Sequence, residues 1–170
     1  INADKGQTAN VTLDNVEINA SSTDRAAVDV TGSGDTNIEL NGNNTLTGGN
    51  QHAGLQHNKK TDANETSGKL TITDTDGNGS LHATGNYGGA GIGGGNFNDA
   101  GKIEITGGSI TATGGTDGAG IGGGGSGGDA DITISGGTIN AFGGTINAIG
   151  GTDPSGQKDP IGGAGIGGGG

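Results

Sequence analysis

Apolar residues alternate with polar ones over short runs in this chain, and glycines separate the runs. In KIEITGGSITATGGTDGAGIGGGG, residues 102–125, Ile103 and Ile105 form one run, Ile110 and Ala112 a second, Ala119 and Ile121 a third. Gly107-Gly108 divides the first two, and residues 114–118 divide the second from the third. A period of two marks a strand with one buried face, and paired glycines supply the backbone angles of sharp corners. No such run can bury its apolar side alone. The pattern therefore predicts one turn of a three-sided coil that is stable only when copies stack.

Laying the runs over one another gives five coils. The first columns are Val11 and Leu13, Ile38 and Leu40, Leu70 and Ile72, Ile103 and Ile105, Ile132 and Ile134. The second are Ile18 and Ala20, Leu46 and Gly48, Leu81 and Ala83, Ile110 and Ala112, Ile139 and Ala141. The third are Ala26 and Val28, Ala53 and Leu55, Ala90 and Ile92, Ala119 and Ile121, Ala164 and Ile166. The expected fold is all-β, a three-sided parallel β-helix of about five coils, right-handed by the general preference of parallel crossovers. It forms one domain over residues 1–170, read as a piece of a longer repeat protein because it begins abruptly at Ile1 and ends inside a glycine run. Residues 58–68 read as a polar surface loop and residues 74–79 as a lengthened corner. After Gly137 the register is open, because TINAFGG at 138–144 is followed by TINAIGG at 145–151, and either copy of TINA fits the second sheet.

Composition changes this picture little. With 44 glycines and 26% hydrophobic residues the chain resembles low-complexity sequence, but a solenoid core needs only a thin line of aliphatics per coil. Collagen is excluded, since glycine does not fall at every third position and there are two prolines. A net charge of -11 argues against nucleic acid and suits cations. No cysteine is present, so no disulfide framework is possible, and no apolar run approaches membrane-spanning length.

The runs GAGIGGG at 89–95, 118–124 and 163–169, with ITGGSITATGG and ITISGGTINAFGG, resemble glycine-rich β-helix repeats of bacterial surface proteins described as carbohydrate-binding or adhesin-like. The resemblance is close over coils three to five and rests on strand pattern alone in coils one and two. It implies a secreted or cell-surface, non-catalytic role in adhesion or glycan recognition, with calcium bound in some members. It carries over no ligand residues, because the shared motif consists of core and turn positions.

The residues themselves offer four candidate features. In DTDGNG, Asp74, Asp76 and Asn78 alternate ahead of Gly79, which is the first half of a calcium loop, but the residue that should close it as a bidentate glutamate is Gly85. A tight corner uses the same residue types. Asn19, Thr47, His82, Thr111 and Asn140 form an expected outward column on the second sheet, a ladder for sugar hydroxyls or simply a polar strand surface. Tyr87 and Phe97 flank the third sheet with Asn96, Asn98 and Asp99 beside them. They form either a pocket for a sugar ring or plugs at the end of the core. Finally, Gly91, Gly93, Gly120, Gly122, Gly165 and Gly167 predict a bare backbone face, explained by tight curvature or by close approach of a glycan or a second copy.

Catalysis finds little support. Glu39 and Glu104 lie on the first sheet with Thr71 in the coil between them, and His52, His57 and His82 have no evident nucleophile partner and read as solvent-facing. The expected function is glycan binding or adhesion to a polysaccharide or a host or cell-wall glycan, without membrane insertion. The alternatives are a structural stalk, an ice-binding face for which a regular TxT array across coils is lacking, and, last, a polysaccharide-degrading enzyme.

Overall fold

The computed structural model describes residues 1–60, 66–144 and 163–170. The described residues form an all-β solenoid of about five turns. At the N-terminal end β1 (Asn2–Ala3) pairs in parallel with β5 (Thr31–Gly32). Sheet one stacks β2 (Thr8–Asp14), β6 (Asp35–Asn41), β9 (Lys69–Thr73), β12 (Lys102–Ile105) and β15 (Ile132–Ile134). Sheet two stacks β3 (Glu17–Asn19), β7 (Asn43–Thr47), β10 (Ser80–Thr84), β13 (Ser109–Thr113) and β16 (Thr138–Phe142). Sheet three stacks β4 (Val28–Asp29), β8 (Leu55–Gln56), β11 (Ile92–Gly93), β14 (Ile121–Gly122) and β17 (Ile166–Gly167). Among the described residues no helix is long and apolar enough to cross a membrane.

The period of two becomes the core directly. In β9 Leu70 and Ile72 are buried while Lys69, Thr71 and Thr73 are part-exposed, and the same alternation recurs in β10, β12 and β13. Ile38, Ile72, Leu46, Leu81, Ile92, Ile103, Ile105, Ile110 and Ile121 line the axis at 0–1% exposure. Each such side chain contributes about 1.5–3 kcal/mol by leaving water.

Like residues stack as expected from coil one to two and from coil three to five, but between coils two and three they do so in sheet three and not in sheets one and two. There Thr36 lies beside Leu70 and Ile38 beside Ile72 in sheet one. In sheet two Asn44 lies beside Leu81 and Leu46 beside Ala83. The displacement is two residues, so inside and outside are preserved while the columns of sheets one and two change partner; sheet three keeps the expected register, with Ile92 beside Leu55. Its cause is the first corner. Coils one and two turn late, at Asn15 and Gly42 with φ of 52° and 62°, so that Gly42 alone separates β6 from β7. Coil three leaves sheet one after Thr73 and re-enters at Ser80. Leu40, left without a partner strand above it, fills the space under the next two corners, where a Cβ on Gly79 or Gly108 would collide with its side chain.

In coil five the first TINA copy supplies β16, and Ile166 stacks on Ile121. The second copy and the stretch 152–160 lie outside the described residues.

Candidate functional site

Tyr87 and Phe97 sit on two turns that flank sheet three in the same coil. The Gly89 N–H donates to the Asn86 carbonyl at 3.0 Å, and the Asn98 N–H to the Gly95 carbonyl at 3.0 Å, closing each turn. Both aromatics occupy left-handed backbone, with φ of 46° and 64°. Neighbouring coils use Gln51, Asp117 and Ser126 in left-handed backbone at the same corners. A bulky residue in this region costs on the order of 1–3 kcal/mol, and glycine or asparagine would avoid most of it. Burial does not repay the strain, since Tyr87 is 58% and Phe97 72% exposed. Neither ring plugs the core. The two turns also touch: a Cβ on Gly88 would overlap the Asn96 side-chain oxygen, so the aromatics stand one residue to either side of a contact. Asn98 is exposed and its Nδ2 donates to the Asn96 carbonyl at 2.9 Å.

Asp99, expected in this pocket, serves the next coil instead. Its Oδ1 accepts the Gly128 and Asp129 N–H groups at 2.8 and 3.1 Å, and Lys59 lies 3.7 Å from its Oδ2. The hydrogen bonds from the Asp129 and Gly128 backbone hold its carboxyl below the ordinary carboxylate range, with Lys59 adding to the effect.

The expected column on sheet two divides. His82, Thr111 and Asn140 do stack in register, and their column continues through Thr45 to Glu17. Asn19 and Thr47 belong to the neighbouring column, which runs on through Thr84 and Thr113 to Phe142. The two-residue displacement between coils two and three separates them.

DTDGNG is a self-satisfied turn. Asp74 accepts the Gly77 N–H at 3.0 Å through Oδ1 and the Gly79 N–H at 3.1 Å through Oδ2. Asp76 accepts the Asn78 N–H at 3.3 Å and its side-chain Nδ2 at 2.8 Å, while Asn78 Oδ1 accepts the Gly42 N–H at 3.2 Å. Each candidate ligand oxygen accepts a protein donor, the arrangement of a tight polar corner. Among the described residues no group of three or more His, Cys, Asp or Glu is placed to hold a metal ion.

The glycine columns are not a bare face. Gly91, Gly93, Gly120 and Gly122 are buried, and each GAGIGGG loop closes on itself, the Ala90 N–H donating to the Gly94 carbonyl at 2.9 Å and Ala119 to Gly123 at 3.0 Å. The flanking turns then bond each other, Asn96 N–H to the Gln51 carbonyl, Gly125 to Gly88 and Gly170 to Asp117. Gly93 and Gly122 have φ of 131° and 140°, and a Cβ on either would overlap the carbonyl oxygen of the next coil. The close approach that excludes side chains here is the chain's own.

Several polar residues escaped the pattern. Asn44 points inward at 1% exposure, its Oδ1 accepting the Val16 N–H at 2.9 Å and its Nδ2 donating to the Ser80 carbonyl at 3.1 Å. The histidines are not all solvent-facing. His82 is exposed, but His52 Nδ1 lies 2.8 Å from Gln56 Oε1, and His57 is 2% exposed. Its Nε2 and Nδ1 lie 2.9 and 3.3 Å from the Gly68 and Val30 carbonyl oxygens. Desolvation lowers its pKa, against the opposing pull of those carbonyls and of Asp29. Parity could have found both, since Asn44 lies two residues before Leu46 and His57 two after Leu55, but each stands where the apolar run itself has stopped.

The two glutamates occupy different columns as well as different coils. Glu39 lies beside Thr73 and accepts the Thr75 N–H at 2.7 Å, while Glu104 lies beside Thr71 and pairs with Lys69 at 2.5 Å. No protein-family model, curated protein or solved structure matches this chain.

Proposed function

We propose that this solenoid is a non-catalytic glycan-binding module of a secreted or cell-surface bacterial protein, working in adhesion to a polysaccharide. The observation that carries the reading is the pair Tyr87 and Phe97, two exposed rings held in strained backbone on touching turns. Neither conformational preference nor burial accounts for aromatics at these positions, and an exposed ring with amide groups beside it suits the apolar face and hydroxyl rim of a sugar. Asn96 and Asn98 supply those amides. Calcium has no part in this reading.

A glycan-array screen of the parent and of a Tyr87→Ala/Phe97→Ala variant tests it. An equally stable double variant is expected to lose at least one of the glycans that the parent binds. A folded parent silent on every glycan would favour the structural stalk, and a double variant that keeps every glycan the parent binds would move the site elsewhere.

A further inference from the structure

The corrected register assembles a surface on sheet two that spacing alone did not show. From coil two to coil five its outward positions are Asn43, Thr45 and Thr47; Ser80, His82 and Thr84; Ser109, Thr111 and Thr113; Thr138, Asn140 and Phe142. Among these residues there is no Asp, Glu, Lys or Arg, in a chain with 18 acidic and 7 basic residues. The outer face of sheet one differs, carrying Asp35, Glu39, Lys69, Lys102 and Glu104. Thr45, Thr47, Thr84, Thr111 and Thr113 make no side-chain hydrogen bond among the described residues, so their hydroxyls are free to donate and accept outward.

From this placement we infer that the face binds one unbranched, uncharged polysaccharide in an extended ribbon lying along the solenoid axis. This rests on the glycan reading of the module but not on the Tyr87–Phe97 corner. Three observations select that occupant. In the column Thr47, Thr84 and Thr113 a hydroxyl recurs once per coil from coil two to coil four, at the strand spacing of about 4.7–4.9 Å, a pitch suited to a ligand that presents one hydroxylated ring after another. Charge selects neutral sugars, because a chain of net charge -11 repels acidic polysaccharides while this face offers no cation to hold them. Phe142 then continues the Thr47, Thr84 and Thr113 column in register and is 56% exposed, a flat apolar platform for one sugar ring at the end of a row of hydroxyls.

The test is a titration of the whole chain with cellohexaose, mannohexaose and, as the charged control, hexagalacturonate, read by threonine methyl NMR shifts and by calorimetry. At least one neutral hexasaccharide should shift Thr84 and Thr113, bind more tightly than its trisaccharide and outcompete the acidic control. Phe142→Ala should weaken binding about tenfold, and Thr113→Glu should abolish it in a protein that melts like the parent. Tyr87→Ala/Phe97→Ala should leave these shifts in place. Sugars that shift nothing on sheet two, or affinity independent of length, would overturn the axial site. So would loss of binding with Tyr87→Ala/Phe97→Ala but not with Phe142→Ala, a result that leaves the corner reading standing. Thermal hysteresis in the absence of any sugar response would assign the face to ice and overturn it as well.

Discussion

Thr36 faces inward between Ala9 and Leu70, where a methyl group is welcome and a hydroxyl is not. It is fully buried and its Oγ1 has no hydrogen-bond partner among the described residues. Valine has the same shape without the polar atom, so Thr36→Val should stabilise the fold by about 1–2 kcal/mol, measured by urea unfolding. A loss would mean that the hydroxyl has found a partner. His57 presents the opposite case, a polar group placed between two acceptors, of which a neutral ring can satisfy one. Burial outweighs the carbonyls and sets its folded-state pKa below the ordinary 6.5. The unfolded chain therefore binds the proton first as pH drops. The stability linked to His57 is complete above the ordinary histidine value and is lost as pH falls below it. His57→Gln should flatten the stability difference between about pH 7.5 and about pH 5; an unchanged slope would show that other groups carry it.

At the scale of elements, the GAGIGGG loop shows how far glycine content is geometry. Gly93→Ala places a Cβ in left-handed backbone against the Gly122 carbonyl and should cost about 2–4 kcal/mol, whereas Gly77, with φ of 77° and open space around it, should accept asparagine for less than about 1 kcal/mol. Thermal melts of the two variants compare these directly, and equal losses would remove the carbonyl contact as the cause. The strands, their inward faces and the three-sheet stack were legible in the sequence because parity survives any even displacement. Ile72 is buried whether it lies beside Leu40 or Ile38. The partners across the step from coil two to coil three in sheets one and two were not legible, because the corner at Gly42 and the corner at 74–79 differ in length, and only the path of the chain shows where the difference is absorbed. Tyr87 and Phe97 were legible as flanking the third sheet, but their strain and exposure were not, since left-handed backbone at those turns is normally announced by glycine or asparagine. The glycine columns misled for a related reason. A sequence shows that a side chain is missing, and not that the next coil's carbonyl occupies its place.

Over the whole molecule, each coil touches its neighbours along one axis, so stability is a sum of interfaces rather than the property of one centre. Ile105 lies between Ile72 and Ile134 at 0% exposure, while Ile134, in the outermost described strand of sheet one, is 39% exposed. The same substitution should therefore have unequal effects. Ile105→Asp buries an unpaired charge between two coils and should cost more than about 4 kcal/mol, enough to abolish cooperative unfolding. Ile134→Asp can turn its carboxylate toward water and should fray the last coil while the others remain folded. Hydrogen exchange reads the same gradient without mutation. Amides of β9, β10, β12 and β13, which have a strand on either side, should exchange slowest, and those of β3, β15 and β17, which are paired on one side, fastest. Uniform protection along the axis, together with equal losses for the two aspartates, would mean that the five coils unfold as one unit and that the interfaces are not separable.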